Sequence, residues 1–352
     1  MPCGAACDVR RATHPRPVTP TDAYWRTMSG TEPILMLDRE EVRSLLTWPE
    51  LIDATQRALI DLAEGDVLPS ISSQLVVPGA SLHLKSGALT EPPIISVKAN
   101  LRPEAGSTSG AILVFDYEKQ RLQAVMASGD LTAMRTAAIA AVAARALVGP
   151  GPVRVALVGA GPVAQRIDEA LEYLGIAGDV RIWSRTHEHA ADLAAAYQGR
   201  VEHRACRTIS DTVIGADLVI TCTPSQSPLV SVEDLLPDAV ILAMGADSAG
   251  KRELAPGVLD SAEVYADVRS DALAVGECAY LGEDSAVRVS SIGTVLQAGI
   301  GSRRSGRRIV FDSVGSSAVD AAVVGLVMRQ AAQRNLGRRF DLDGGAPGEL
   351  LR

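Results

Sequence analysis

A strand, a glycine-containing turn and a helix follow one another in the stretch "VRVALVGAGPVAQRIDEALEYLG", residues 153–175. Gly159, Gly161 and Ala164 have the spacing G-x-G-x-x-A. In that motif the first glycine makes a tight turn, the second lets backbone approach a pyrophosphate, and the third small residue permits close helix–strand packing. A second strand, "DVRIWSR", ends about 20 residues further on, where such a unit has its parallel neighbour. The stretch predicts a dinucleotide-binding βαβ unit.

The pattern after this unit continues to alternate between helix and strand. A helical segment, "EHAADLAAAYQ", is followed by the apolar segments "ADLVITCTP", "DAVILAMGAD", "EVYADV" and "RIVFDSVG". Strands separated by helices predict a doubly wound parallel sheet. The segments before residue 128 differ, because two helical patterns there precede short strand patterns from "SSQLVVP" to "RLQAVMAS". The predicted fold class is α/β: a Rossmann-type parallel sheet joined to an antiparallel α+β region.

Composition limits the partners that we expect. The chain has 352 residues, is 47% hydrophobic and carries a formal net charge of −8. This charge argues against nucleic acid or an anionic membrane surface as the main partner. We expect no membrane span, because no apolar run approaches about 20 residues, and no metal, because the five cysteines lack metal-ligand spacing. Residues 1–30 are predicted to be a disordered extension, the C-terminal end is expected to be frayed, and the expected location is cytoplasmic.

An Ala-rich segment, Leu131–Val148, predicts a helix that is apolar all round and therefore buried. Arg135 lies in its first predicted turn, and no acidic residue follows three or four places later to pair with it. Two interpretations stay open from the residues alone. Either the arginine stem lies on the core while the head reaches solvent, or the guanidinium is a fixed fork for an anion at a helix start.

The end of the second strand indicates which cofactor binds. An NAD site usually has a carboxylate there for the ribose diol, but this chain has Ser184, Arg185 and Thr186, and no acidic residue before Glu188. A guanidinium and two hydroxyl groups suit a 2′-phosphate, so NADP(H) is favoured, with NAD(H) as the alternative. A solvated loop position for Arg185 is the other interpretation.

In order, the segments "SVKAN", "SGAILVFD", "LTAMRTAAIAAVAARAL", "LVGAGPVA", "MGADSAGKREL" and "FDSVGSSAVD" resemble the ornithine cyclodeaminase/μ-crystallin family. The resemblance covers roughly residues 33–336. It implies a substrate-binding and dimerisation domain over residues 31–130 with 316–340, a Rossmann domain over 131–315, and a homodimer. Members of the family include cyclodeaminases, ketimine reductases and amino-acid dehydrogenases that act on α-amino or α-imino acids beside a nicotinamide ring.

The resemblance also implies roles for three side chains. Arg135 matches the arginine that grips the substrate carboxylate, and Lys98 matches the lysine that touches it and handles protons at the reacting nitrogen. Asp247 matches the aspartate that holds the amine or iminium charge and serves as acid or base. From the residues alone, Lys98 would more often be an edge residue and Asp247 the N-cap of the following turn.

The remaining expected contacts fall into two sets. The residues expected to bind the cofactor are Gly159, Gly161, Pro162, Val163, Ser184, Arg185, Thr186, Thr136, Thr223 and Gly245. The residues expected to bind the substrate are Arg135, Lys98, Lys85, Ser107 and Gly315.

Two segments depart from the family pattern. A second arginine usually comes shortly before the lysine strand, but this chain has "LPSISSQL" there, with Ser70 and Ile71 at the equivalent place. The carboxylate clamp is therefore altered, and Lys85 is the expected substitute. A Leu-Pro-Thr segment of the family is shortened to "EAGSTSG", which leaves Ser107 or Thr108 as the hydroxyl contact.

Three functions remain open from the sequence. The favoured function is an NAD(P)H-dependent oxidoreductase acting on the C–N bond of an α-imino or α-amino acid, as a ketimine reductase or amino-acid dehydrogenase. The first alternative is an ornithine cyclodeaminase-like lyase that releases ammonia on bound cofactor. The second is a non-enzymatic, μ-crystallin-like protein that binds NADPH or another small molecule. The expected ligand is thus a small amino or imino acid.

Overall fold

A computed structural model describes residues 32–342 except 69, 104–107, 150, 198–200, 283–284 and 300–305. The predicted extension over residues 1–30 and the proposed contact Ser107 lie outside the described residues. In chain order the helices and strands are β1 (Ile34–Leu37), α1 (Arg39–Ser44), α2 (Trp48–Glu64), β2 (Ile71–Val77), β3 (Ala80–Leu89), β4 (Ile94–Pro103), β5 (Ser109–Asp116), β6 (Arg121–Ala127), α3 (Gly129–Val148), β7 (Val153–Val158), α4 (Pro162–Tyr173), β8 (Ala177–Trp183), α5 (His187–Ala196), β9 (Glu202–Ala205), α6 (Ile209–Val213), β10 (Leu218–Thr221), β11 (Val240–Ala243), β12 (Ala262–Ala266), α7 (Arg269–Val275), β13 (Val289–Ser291), α8 (Ile292–Gln297), β14 (Arg308–Asp312), α9 (Ser317–Arg334) and β15 (Arg338–Phe340).

The second sheet is the predicted doubly wound parallel sheet. Its eight strands lie in the order β13-β12-β14-β11-β10-β7-β8-β9, and every pair of neighbours is parallel. Both β10 and β11 are buried throughout, as central strands covered on two faces must be. The strand order reverses at β7, with β8 on one side and β10 on the other. In open α/β sheets a ligand binds at the carboxyl ends of the strands beside such a reversal.

The first sheet is mixed. Its seven strands lie in the order β15-β1-β6-β5-β4-β3-β2, in which β1 is parallel to β6 and the other neighbours are antiparallel. The expectation of a frayed C-terminal end is wrong for Arg338–Phe340, because this segment pairs with β1 at the edge of the sheet. Three strand residues are too short a run for alternation to reveal them.

Local sequence signals set the ends of the first two helices. Asp38 caps α1, accepting a hydrogen bond from the Glu41 backbone while the Glu41 side chain accepts one from the Asp38 backbone. Gly65 ends α2 in the left-handed conformation, with φ of 76°. An aspartate just before a helical segment and a glycine just after one are the residue types that predict such helix ends from sequence.

The Ala-rich helix α3 is the central core helix, and most of its side chains are fully buried. Its alanines allow neighbouring elements to approach closely. The expectation that no apolar run reaches the length of a membrane span needs correction, because α3 has 20 residues and is apolar enough to span; however, 89% of its most apolar window is buried inside the fold. The helix begins at Gly129, so Arg135 lies in its second turn and gains little from the helix dipole.

The last long helix, α9, returns to the first sheet as the sequence suggested. It begins directly over β3, where a side chain at Gly87 would lie 2.3 Å from the Ser317 carbonyl oxygen, so only glycine permits this approach. The helix therefore brings its first turn, which includes Asp320, onto the face of the sheet that carries Lys85 and Lys98. The domain boundaries within the chain stay a prediction.

Candidate active site

The chain has four lysines, and three of them, Lys85, Lys98 and Lys251, lie in one region between the two sheets. Lys85 on β3 is directly opposite Lys98 on β4. A pair of like charges opposite each other in a sheet is unfavourable unless other groups compensate it. The scarcity of lysine is visible in the sequence, and motif analysis alone did not use it. The clustering of three of the four lysines is visible only in the folded structure.

One carboxylate, that of Asp320, neutralises two buried cations. Lys98 Nζ donates a hydrogen bond of 2.6 Å to Asp320 Oδ2, and Arg135 Nε lies 2.9 Å from Asp320 Oδ1, although its N–H is not aligned for a hydrogen bond. The three side chains are at most 7% exposed. Sequence reasoning missed Asp320, because it lies 185 positions after Arg135 and only α9 brings it there.

The structure excludes one of the two interpretations of Arg135. Its head does not reach solvent, so the interpretation of a stem on the core with a solvated head is wrong. The guanidinium lies against Gly315, where a side chain would come within 2.6 Å of Nη1, and Gly315 has φ of 80°. Among the described residues, no hydrogen bond is made by the two Nη atoms, so this end of the fork is available to an anion.

Lys85 has a different position from the one expected of a direct replacement for the missing arginine. Its ammonium donates to the carbonyl oxygens of Val314 and Gly315, at 2.8 and 2.7 Å. An ammonium has three donors, so one remains for a ligand. Lys85 therefore holds the turn that contacts Arg135 and has limited capacity as a second carboxylate contact.

Burial and neighbouring charge change how these groups titrate. Burial and the positive charge of Arg135 together lower the pKa of Lys98 to about 7, and Asp320 partly opposes both. Burial lowers the pKa of Lys85 in the same direction. Burial would raise the pKa of Asp320, but Arg135 and Lys98 outweigh burial and lower it. Lys98 is therefore a buried group that can exchange a proton near neutral pH, and Asp320 stays ionised.

Asp247 follows the end of β11, as the parallel sheet predicted, and does not cap a helix. It accepts hydrogen bonds of 3.0 and 2.7 Å from both Nη atoms of Arg102 and one of 2.6 Å from Lys251. Burial raises its pKa, but the charges of Lys251 and Arg102 outweigh burial and hold the pKa far below its usual range. Arg102, which sequence reasoning also missed, thus links the first sheet to the second.

The turn after β7 has the shape that a dinucleotide requires. Gly159 has φ of 130°, and a side chain there would lie 2.9 Å from Cys222 Sγ, so the first glycine is needed for the turn. A side chain at Gly161, the N-cap of α4, would meet no atom within 4 Å, which leaves open space in front of the helix start. Pro162 and Val163 form the first residues of α4. The helix N-terminus and this open space fit a pyrophosphate.

A buried glutamate fixes the neighbouring strand ends. Glu253 accepts hydrogen bonds from Thr221 Oγ1, from the backbone and hydroxyl of Thr223, and from the Gly245 backbone, at distances of 2.6–2.9 Å. A side chain at Gly245 would lie 2.2 Å from the Thr223 carbonyl oxygen. Thr223 and Gly245 are thus held together beside the glycine turn by Glu253, which lies in the family-like segment "MGADSAGKREL" but was given no role from the sequence.

The other expected cofactor contacts lie at the edge of this region. Ser184 is half-buried, whereas Arg185 and Thr186 are exposed at the start of α5. Within the described part of the chain, Arg185 forms no ion pair, which leaves its guanidinium available. Thr136 lies next to Arg135 on α3 and donates its hydroxyl to the Thr132 carbonyl oxygen.

Comparisons with known proteins identify the family of the chain. A model of the Ornithine cyclodeaminase/mu-crystallin family matches residues 94–335. Ketimine reductase mu-crystallin of Mus musculus is 32% identical over 241 residues, which cover 68% of this chain and 75% of that protein.

Solved structures share the fold over nearly the whole described chain. An archaeal alanine dehydrogenase dimer with bound NAD has a TM-score of 0.80 at 24% identity, covering 88% of this chain and 99% of that one. The iminosuccinate reductase of Paracoccus denitrificans in complex with NAD+ has a TM-score of 0.77 at 23% identity, covering 88% and 100%. At these identities the likeness shows the fold alone.

We predict that Lys98 is charged below about pH 7 and neutral above it, because burial and Arg135 lower its pKa. In Asp320→Asn the midpoint should move to lower pH, because the compensating carboxylate is lost; in Arg135→Gln it should move to higher pH. Lysine side-chain NMR on protein labelled at lysine nitrogen measures this directly, since four signals are expected. Exposed Lys119 serves as the internal control. A Lys98 midpoint above pH 9 in the wild type would contradict the prediction.

Proposed function

The chain belongs to the ornithine cyclodeaminase/mu-crystallin family, and on that premise we propose that it is an NAD(P)H-dependent oxidoreductase acting on the C–N bond of an α-imino or α-amino acid. The observation that carries this proposal is the buried Lys98–Asp320–Arg135 cluster, which presents a guanidinium fork and a lysine of near-neutral pKa between the two sheets. Relatives named as ketimine and iminosuccinate reductases and as an alanine dehydrogenase support the reaction class.

Each residue of the cluster has a role that its geometry supports. The free Nη atoms of Arg135 bind the substrate carboxylate, and the Gly315 turn keeps the fork in place. Lys98 gives a proton to the reacting nitrogen during reduction or takes one during oxidation, which a pKa near the working pH favours. Asp320 keeps Arg135 and Lys98 oriented. When bound, the dinucleotide supplies or accepts the hydride at its nicotinamide ring.

A diamino-acid cyclodeaminase is the less favoured activity. A distal amine would need Asp247 as its partner, but both oxygens of that carboxylate are bonded to Arg102 and one is also bonded to Lys251. Displacing a bidentate guanidinium with an ammonium exchanges two charge-assisted hydrogen bonds for fewer. A binding protein without catalysis is also less favoured, because carboxylate binding alone does not require a buried lysine with a pKa near neutrality.

The proposal predicts turnover in a screen of cyclic imino acids, of 2-oxo acids with ammonium, and of amino acids. The absorbance of reduced cofactor and the release of ammonia are read together. Arg135→Lys should lower kcat/KM about tenfold to hundredfold, because charge-assisted hydrogen bonds to a buried carboxylate are worth about 1.5–3 kcal/mol and lysine cannot replace the fork. Its cofactor affinity should be unchanged.

The matched control is Arg145→Lys, since Arg145 lies on the same helix and bonds Gln56 away from the site. If turnover of Arg135→Lys is within about a factor of two of the wild type, Arg135 does not bind the substrate carboxylate as proposed. Ammonia release from a diamino acid without net change in reduced cofactor would favour the lyase.

For the cofactor, we propose that NADP(H) binds more tightly than NAD(H). The support is Arg185, exposed and without an ion pair in the described part of the chain, together with the hydroxyls of Ser184 and Thr186. In calorimetry with both cofactors, Arg185→Ala should weaken NADP(H) binding about tenfold to hundredfold and change NAD(H) binding little. Arg204→Ala, on the exposed edge strand β9, is the control. Equal affinities of the wild type for the two cofactors would refute the preference.

We also propose a homodimer built on the first sheet. Helices cover one face of this sheet, whereas alternate residues of β4 and β5 on the other face are apolar and only half-buried. These outward residues include Val97, Leu113 and Phe115, and they adjoin exposed Leu75 and Leu101. Apolar surface of this extent marks an interface.

Light scattering at micromolar concentration should give twice the mass of one chain. Leu113→Glu should shift the protein to the monomer, because a carboxylate at the centre of this face is costly to bury. Tyr173→Glu, an exposed aromatic on α4, is the control and should leave the mass unchanged. A wild-type monomer under these conditions contradicts the proposed dimer.

A further inference from the structure

Arg102 lies at the far end of the strand that carries Lys98. The two residues are four positions apart on β4, so they project from the same face, with about 13 Å of extended backbone between them. The Arg102 side chain is 28% exposed, whereas Lys98 is buried. The site is therefore elongated along β4, with a buried cation at one end and a partly open cation at the other.

Two further groups surround Arg102. His83 on β3 lies beside Arg102, Asp247 and Lys251, and burial together with the charge of Arg102 lowers its pKa to about 4, so it is neutral at pH 7. Its ring nitrogen Nε2 lies 2.9 Å from Ser81 Oγ. Lys251 is 20% exposed and holds Asp247 from the side of the second sheet. Arg102, Lys251 and His83 thus form a polar end of the site, which we call the distal cluster.

The charges of the whole site do not balance. Five basic side chains face one another across it, and the acids among them are Asp247, Asp320 and, behind the Gly315 turn, Asp267. With all five basic groups charged, these eight side chains carry two more positive than negative charges, and with Lys98 neutral they carry one more. A substrate with one carboxylate leaves part of this excess uncompensated. The basic side chains are Lys85, Lys98, Arg102, Arg135 and Lys251.

We propose, on the basis of the proposed oxidoreductase function, that the substrate is a dicarboxylic α-imino or α-amino acid of four or five carbons, whose second carboxylate binds Arg102 in the distal cluster. Arg135 and Lys98 then bind the α-carboxylate end. The bidentate fork that Arg102 offers to Asp247 is the geometry that it would offer to a substrate carboxylate.

Binding of a substrate carboxylate to the Arg102 fork changes what Asp247 contacts. While Arg102 and Lys251 both bind it, its carboxylate is held ionised and both of its oxygens are occupied. When the substrate takes the Arg102 fork, Asp247 keeps the bond from Lys251 to Oδ1, and Oδ2 loses its partner. A substrate with a second carboxylate is thus the one that releases Asp247, and a monocarboxylate leaves Asp247 paired with Arg102.

The test compares oxaloacetate or 2-oxoglutarate with pyruvate, each with ammonium and reduced cofactor, in the wild type and in Arg102→Gln. We expect the wild type to prefer the dicarboxylic acids at least tenfold in kcat/KM. Arg102→Gln should lower kcat/KM for these acids about tenfold to hundredfold and that for pyruvate by a much smaller factor, so that the preference for dicarboxylic acids is lost. The matched control is Arg154→Gln, since Arg154 also pairs with an aspartate, Asp217, but lies at the opposite end of β7.

Equal losses with dicarboxylic and monocarboxylic acids in Arg102→Gln would overturn the proposal, because Arg102 would then only position Asp247. A wild type without preference for the dicarboxylic acids would overturn it too. If the protein shows no turnover, the second carboxylate site can still be tested by calorimetry. This experiment measures the binding of L-aspartate and L-alanine in the presence of oxidised cofactor. Tighter binding of L-aspartate that Arg102→Gln abolishes supports the second carboxylate site even then, and equal binding of both amino acids overturns it. Absence of turnover with every imino, oxo and amino acid instead counts against the proposed oxidoreductase.

Discussion

The carboxylate of Asp320 is the constraint on which the site depends. Lys98 and Arg135 are both buried, and two buried cations without a counter-charge would cost several kcal/mol each. Asp320 contacts both and is itself buried, so all three side chains must be placed together for any of them to be tolerated. This requirement links β4, α3 and α9, three elements that are far apart in the chain. The position of the Arg135 guanidinium is therefore a product of the packing of α9 against the first sheet.

Two further carboxylates, those of Glu253 and Asp267, fix the turns and strand ends that surround the candidate site. Glu253 binds Thr223 and Gly245, and so joins the ends of two neighbouring parallel strands beside the cofactor turn. Asp267 accepts hydrogen bonds from Ser313 Oγ and the Gly315 backbone, and Lys85 holds the carbonyl side of the same turn. Buried polar groups of this kind are stable only when every partner is in place. The turn that contacts Arg135 is consequently fixed from two sides before a ligand arrives.

Local signals predicted most of the fold. Asp38, Gly65 and the glycines of the cofactor turn act through hydrogen bonds and backbone angles within a few residues. Short sequence patterns can therefore predict the helix ends and the turn that these residues form. Lys98, Arg135 and Asp247 were singled out by the family resemblance, and the structure brings Lys98 and Arg135 together at Asp320. Their partners Asp320, Arg102 and Glu253 were missed. Each of these is an ordinary charged residue whose importance arises from a neighbour that is 8 to 222 positions away.

The sequence by itself determined the parallel sheet, the cofactor turn and the buried Ala-rich helix, because periodicity, glycine spacing and capping are properties of short segments. Only the tertiary structure decided what Arg135 and Asp247 contact. On the residues alone, Arg135 had no acidic partner three or four places later in its helix, and the alternative for Asp247 was the N-cap of the following turn. Electrostatic partners are chosen by distance in space, and burial determines how strongly they interact. Packing of α9 over β3 and of β4 against the end of β11 set both of these quantities.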